Sequence, residues 1–282
     1  MRLLDSFISL GKYTNAKFDR CRLRGDSIND PKTTKEFFDI YNKHFEIPFI
    51  EETEKYYRQE SKAFLAFNSV SDYLKKAEAR LNEEEEKLIR YLHSQTRKPL
   101  LSKCEEVLIM EHEATIWDSF PEMMDFDRIK DLQRVYMLLS RIPGGLERLR
   151  NRFEEHVENA GLVAVANQVI GACTAVELKA YVDALSEVCR KHSVIVMQSF
   201  RGEVGFVASL NRACKRFVNR NAATQFSSAR SAELLAKHAD LLLRSCNKRG
   251  EEDAEGPLNG VVYTPFKISC YAFLLSFYLV HR

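Results

Sequence analysis

The side chains best suited to chemistry lie in three places. Cys189 and His192 sit three residues apart in one strongly periodic segment, and Cys173 and Cys214 fall within folding distance of them. Thiolates and imidazoles are zinc ligands, and four such groups can close a tetrahedral site. The competing reading is a core position. Cys189 falls on the apolar stripe, His192 lies near its edge, and no paired ligand motif supports them elsewhere, so a metal site is not expected. Glu111-His112-Glu113 puts two carboxylates beside an imidazole, a combination fit for proton transfer. Consecutive helix residues point to different faces, however, and do not converge on one substrate. Arg201, Arg212, Lys215, Arg216 and Arg220 make a basic edge able to meet phosphate or an acidic protein, although charges on a helix read first as a solvated face.

The sequence contains no G-x-x-x-x-G-K-[ST] loop, G-x-G-x-x-G, G-x-S-x-G or H-E-x-x-H. The residues therefore assign no catalytic group, no cofactor-binding group and no metal ligand. The expectation is a protein that is not an enzyme and carries no cofactor.

The elements that would position these residues are helices. Eleven glycines and seven prolines among 282 residues amount to roughly half the usual share, too few for the tight turns of a sandwich, barrel or propeller. Ser69 is placed to cap a helix over 69–92, with Leu74, Leu81, Leu88 and Leu92 on one stripe. Its other face carries Lys75, Lys76, Glu78, Arg80 and Glu83 to Glu86, a charge run that reads as solvated. A second helix is expected to open at Pro99 and to stop at Pro121. Further helices are expected over 127–142, over 146–159 with Gly161 as its C-terminal cap, and over 176–200, 206–219 and 233–243. The fold class is all-α, a bundle or stacked helical repeats.

Forty-two basic against 40 acidic side chains leave a net charge of +2, so no long-range field marks nucleic acid as a partner. Seven cysteines without a C-x-x-C pair read as reduced thiols, which points to cytoplasm or nucleus. The first residues lack the apolar stretch of a secretory signal.

Several runs are more specific than composition. Phe49-Ile50-Glu51-Glu52-Thr53-Glu54-Lys55-Tyr56-Tyr57 is followed by Val70-Ser71-Asp72-Tyr73-Leu74-Lys75-Lys76-Ala77-Glu78-Ala79-Arg80-Leu81. Later come Lys103-Cys104-Glu105-Glu106-Val107-Leu108-Ile109, Leu138-Leu139-Ser140-Arg141-Ile142, and Gly205-Phe206-Val207-Ala208-Ser209-Leu210-Asn211-Arg212-Ala213-Cys214. Together with Ser231-Ala232-Glu233-Leu234-Leu235-Ala236-Lys237, these resemble the N-terminal stalk of the cullin family over about 26–262, most like a fungal cullin of the SCF type.

The resemblance implies a scaffold without catalytic chemistry. Cullins are built of stacked antiparallel five-helix repeats forming an elongated stalk, which holds an adaptor and F-box receptor module at one end and a RING subunit at the other. Regulators wrap the same stalk. On this likeness, 1–68 is the end of a second cullin repeat, 69–200 a third, and 201–262 the start of the C-terminal region. The adaptor-binding first repeat and the RING-binding and modifier-accepting regions are expected to lie outside this chain, so no functional residue of the family carries over.

Two segments depart from the family pattern. Residues 12–25 look inserted, and 263–282 form a divergent apolar tail; both read as translated intron. The uncharged stretch 268–280 is shorter than the ~20 residues a spanning helix needs, so a membrane anchor is not favoured. A short interaction module competing with full-length cullin for its regulators, and a tail-anchored helical protein, are the alternative readings.

Overall fold

The computed structural model describes residue 39, residues 41–166 and 175–221, and positions 233, 234, 236, 237 and 240. Every regular element among the described residues is helical, which is the all-α class expected. The chain divides into two compact units, Met1–Gly145 and Leu146–Arg282.

In the first unit a π-helical turn, Asn42–Glu46, leads into helix α1, Ile47–Phe67. Pro48 sits in its first turn, where a missing N–H costs nothing. The buried face of α1 is Phe49, Thr53, Tyr57 and Ser61, one residue every four. Thr53 satisfies its hydroxyl inside that face by donating to the Phe49 carbonyl at 2.7 Å. Asn68 is extended and ends the helix.

Helix α2, Val70–Tyr91, starts at the expected cap: Ser69 Oγ accepts from the Asp72 N–H at 3.1 Å. It buries Tyr73, Leu74, Ala77, Leu81, Glu84 and Leu88. After a 3₁₀ turn, Ser94–Thr96, comes α3, Arg97–Leu108, with Pro99 in its first turn. α3 packs on both α1 and α2.

The expected continuous helix from Pro99 to Phe120 does not form. The chain breaks at Ile109, makes a single 3₁₀ turn over Met110–His112, and restarts as α4, Glu113–Asp125. In that turn the His112 N–H bonds the Ile109 carbonyl, which frees the Leu108 carbonyl to accept from the Tyr73 hydroxyl at 2.8 Å. Pro121 does not stop α4 either. The turn beyond it is held by burial of Met123 and Met124, so packing outweighs the one ladder bond that proline removes. Asp127, at a positive φ of 52°, turns the chain into α5, Ile129–Leu139. α5 packs on α2 and α4.

The second unit contains α6, Gly145–Ala166 (from its second residue on), α7, Ala175–Ser199, and α8, Val204–Asn219. Gly161 does not cap α6 but lies within it. A Cβ there would fall on the ring of Phe217 from α8, so the glycine serves close approach rather than a turn. The α7–α8 corner uses two consecutive left-handed residues, Arg201 and Gly202, and the Gly202 N–H bonds back to the Val196 carbonyl at 3.0 Å. An aromatic cluster lies between the described helices of this unit. The Phe153 ring stands edge-on to Phe200 and Phe206 at centroid distances of 5.5 and 5.8 Å, and Phe200 and Phe206 stack at 4.2 Å. Of the helix expected over 233–243, the positions described are helical. Segments 12–25 and 263–282 and most of 1–40 lie outside the described residues.

Candidate functional site

The charge run of α2 is only partly a solvated face: Lys75, Glu83 and Glu86 are exposed as expected, and the other members turn toward neighbouring helices or the core. Glu60 of α1, largely buried, accepts from Arg80 at 3.0 Å to Nε and 2.6 Å to a terminal nitrogen, and Lys76 stands at 3.2 Å. Burial works against the Glu60 charge. The bonds from Arg80 and Lys76 outweigh it, and the carboxyl titrates below its ordinary value. Further along the helix, Glu78 pairs with Arg134 at 3.3 Å and Glu85 with Arg141 at 2.6 Å, which ties the neighbourhood of α5 to α2. At the top of α2, the Ser71 hydroxyl donates to Asp131 at 2.6 Å.

Glu84 departs furthest from expectation. Written into a run of four glutamates, it is fully buried. Its Oε1 accepts from the Tyr57 hydroxyl at 2.5 Å and from Lys87 Nζ at 2.6 Å. Burial and the adjacent carboxylate both push the Tyr57 phenol well above its usual range. The same surroundings raise the Cys104 thiol, burial first and the Glu84 charge second, so Cys104 is a packed, unreactive group. A second buried chain links the Tyr41 hydroxyl to Thr96 Oγ1 at 2.8 Å, and Thr96 Oγ1 in turn donates to Glu46 Oε2 at 2.8 Å.

Glu111, His112 and Glu113 separate as the helix geometry requires. Glu111 takes a two-pronged bond from Arg58, whose Nε and terminal nitrogen stand at 2.9 and 2.6 Å. His112 turns inward, with Nε2 at 2.9 Å from Ser61 Oγ and its ring edge-on to Tyr73. Burial holds the imidazole pKa below its ordinary value, against the opposing pull of Glu111. Glu113 opens α4.

In the second unit the basic edge is partly consumed. Arg212 bonds Glu154 at 2.6 Å, and Arg216 bonds Glu154 at 3.0 Å and Glu158 at 3.1 Å, so two of its five cations clamp α8 to α6. Arg201, Lys215 and Arg220 are exposed. The zinc candidates divide as well. Cys189 and Cys214 face each other, Sγ to Sγ 2.9 Å, while His192 Nδ1 stands 2.7 Å from the Val188 carbonyl of its own helix. Cys173 lies outside the described residues. Among the described residues no group of three or more His, Cys, Asp and Glu is placed to hold a metal ion, and no helix is long and apolar enough to cross a membrane.

What these side chains do together is mechanical. Polar bonds across α1, α2, α3 and α5, and an aromatic cluster between α6, α7 and α8, fix helices against one another within each unit. Sequence reasoning missed the buried Tyr57–Glu84–Lys87 and Tyr41–Thr96–Glu46 groups. The available signal for the first was the four-residue spacing of Phe49, Thr53, Tyr57 and Ser61, a stripe that mixes rings and hydroxyls.

The family model described as the cullin alpha solenoid domain matches residues 9–263. Over 238 residues the chain is 45% identical to Cullin-1 of Dictyostelium discoideum, covering 83% of this chain and 31% of the relative. It is 42% identical over 239 residues to Cullin-1 of Schizosaccharomyces pombe, covering 84% and 31%. Cullin-1 of Caenorhabditis elegans is 36% identical over 248 residues, covering 86% and 31%. The chain thus spans less than a third of the length of these curated relatives.

Proposed function

The chain belongs to the cullin family, and from that premise we propose that it forms part of the scaffold of an SCF-type ubiquitin ligase. The observation that carries the reading is the bracing of α2, where Lys76, Arg80, Glu78 and Glu85 of a charge run are spent on bonds to neighbouring segments. A scaffold acts by holding two bound modules at a set distance, so that transfer between them becomes effectively intramolecular. Stiffness within each unit is what that task needs. The protein has no catalytic site of its own in this reading. Its partners are an adaptor with an F-box receptor, a RING subunit and cullin regulators, and it works in the cytoplasm and nucleus. Residues 1–68, 69–200 and 201–262 take the places of the end of one repeat, a complete repeat and the start of the C-terminal region.

The test uses the protein as the cell makes it. Affinity purification of the endogenously tagged product is expected to recover adaptor, F-box and RING subunits and to build ubiquitin chains once activating and conjugating enzymes are added. Recovery of none of these subunits overturns the reading. So does ubiquitin transfer by the purified chain alone.

A further inference from the structure

Cys189 of α7 and Cys214 of α8 are 25 positions apart in sequence, yet their sulfurs are 2.9 Å apart. Both are thiols, Cys189 fully buried and Cys214 partly exposed. A disulfide has an S–S separation of about 2.05 Å, so closing this pair takes less than about 1 Å of movement, within the reach of side-chain rotation. The unequal exposure gives the two sulfurs different roles. An oxidant arriving from solvent meets Cys214 first, and Cys189 waits behind it. Cys104, the third thiol among the described residues, is buried in the other unit.

We propose that Cys189 and Cys214 are an oxidative modification site, at which a peroxide forms a disulfide joining α7 to α8. The Cys214 thiolate attacks one oxygen of the peroxide. The O–O bond breaks, water leaves after proton transfer, and Cys214 becomes a sulfenic acid. Cys189 then attacks the Cys214 sulfur, the S–S bond forms, and the hydroxyl departs as a second water. Two thiols are oxidised by two electrons in all, and one peroxide is reduced to two waters. Cys189 is the resolving group: a sulfenic acid is open to further irreversible oxidation unless a thiol lies in contact, and here one does. The product pins the two helices that flank the left-handed Arg201-Gly202 corner.

The experiment treats the full 282-residue chain with hydrogen peroxide near one equivalent, blocks remaining thiols with N-ethylmaleimide, and maps tryptic peptides by mass spectrometry. The expected product links the peptide 180–190 to 213–215, two hydrogens lighter than the reduced pair, and is reversed by dithiothreitol. The melting temperature of the oxidised chain rises by about 5–10 °C, the scale expected for closing a loop of this length in a chain of this size. In Cys189→Ala, dimedone labels Cys214; in Cys214→Ala, dimedone does not label Cys189 and no link forms. The proposal is overturned if peroxide carries Cys214 of the unmodified chain to sulfinic acid without the link. Linkage of either cysteine mainly to Cys21, Cys104, Cys173, Cys246 or Cys270 overturns it as well. The peptide map of the unsubstituted chain decides the matter even where a variant fails to fold.

Discussion

The two units solve the same problem, fixing helices against helices, with a different balance of polar bonds and ring packing. In the unit ending at Gly145 the contacts between helices are built around polar groups taken inside, among them Glu84 under Tyr57 and Lys87, Thr96 between Tyr41 and Glu46, and His112 against Ser61. In the unit beginning at Leu146 the described core leans more on rings and close approach, with Phe153, Phe200 and Phe206 in mutual contact and Gly161 admitting Phe217, beside buried Glu154 held by Arg212 and Arg216. Polar cores specify one arrangement because a misplaced partner leaves a buried group unsatisfied. Ring cores tolerate chemistry but not volume. The difference teaches that rigidity here has two failure modes, loss of a bond partner and loss of fit.

The largest expected effect removes volume from the second unit. Phe153→Ala leaves a cavity beside Phe200, Phe206 and His192 and should cost about 3–5 kcal/mol in denaturant unfolding. Hydrogen exchange should quicken in α6, α7 and α8 while α1 to α3 stay protected. Equal loss of protection in both units would erase the distinction drawn between them.

Next comes the charge inside the first unit. Glu84→Ala strands the buried Tyr57 hydroxyl and releases the partly exposed Lys87, at an expected cost of about 3 kcal/mol once the cavity is included. Converting the group to apolar chemistry with Tyr57→Phe and Glu84→Leu together should recover roughly half of that loss, since the penalty is mainly an unpaired group rather than a lost attraction. A double variant no better than the single one would mean that packing, not polarity, governs this unit too.

Gly161→Ala is a smaller test of fit, expected to destabilise by about 1–3 kcal/mol because the methyl meets the Phe217 ring and both helices must give. Elsewhere in a helix the same change stabilises by up to about 1 kcal/mol, so the sign of the effect is itself the result.

The smallest effect is a pH dependence confined to the first unit. His112 has a folded pKa below its ordinary value of about 6.5, so the unfolded chain binds more protons there. Its contribution is fully present above that pH and is lost as pH falls through about 6.5 toward the lower folded value. Glu60 and Glu111, depressed by the bonds from their arginines, lose their contributions only below about 4.5, whereas Glu105, raised by burial, acts with the opposite sign above that value, so the comparison with a His112 variant is what reports the imidazole. A melting temperature a few degrees lower at about pH 5.5 than at 7.5, with the drop reduced in His112→Gln, is the expected pattern.

Much of the fold is legible in the residues, and the exceptions share a cause. α2 is readable because its signals are local: a serine cap and leucines on one stripe. α1 escapes an apolar template because two of the four residues on its buried face are Thr53 and Ser61, whose hydroxyls are satisfied within the core. Pro121 and Gly161 read as punctuation, yet both lie inside helices, one offset by buried methionines and the other fixed by a ring from a distant helix. Glu84 was hidden by its neighbours: in a run of four glutamates nothing local says which one turns inward. The facing of Cys189 and Cys214 depends on the α7–α8 corner, and spacing alone does not reveal it. In each case the missing information is which residues of another helix come near, a tertiary fact that periodicity does not encode.

The buried carboxylate of α2 also has a metrological consequence. If α2 slid along α1 by one helical turn, Leu81 or Leu88 would face the Tyr57 hydroxyl and Glu84 would be enclosed without that donor. Intermediate slides fare no better, because side chains on a helix come round only once per turn. The pair is therefore indexed like a toothed gauge: its errors come in steps of about 5.4 Å, each penalised by a lost buried hydrogen bond, rather than as a gradual drift.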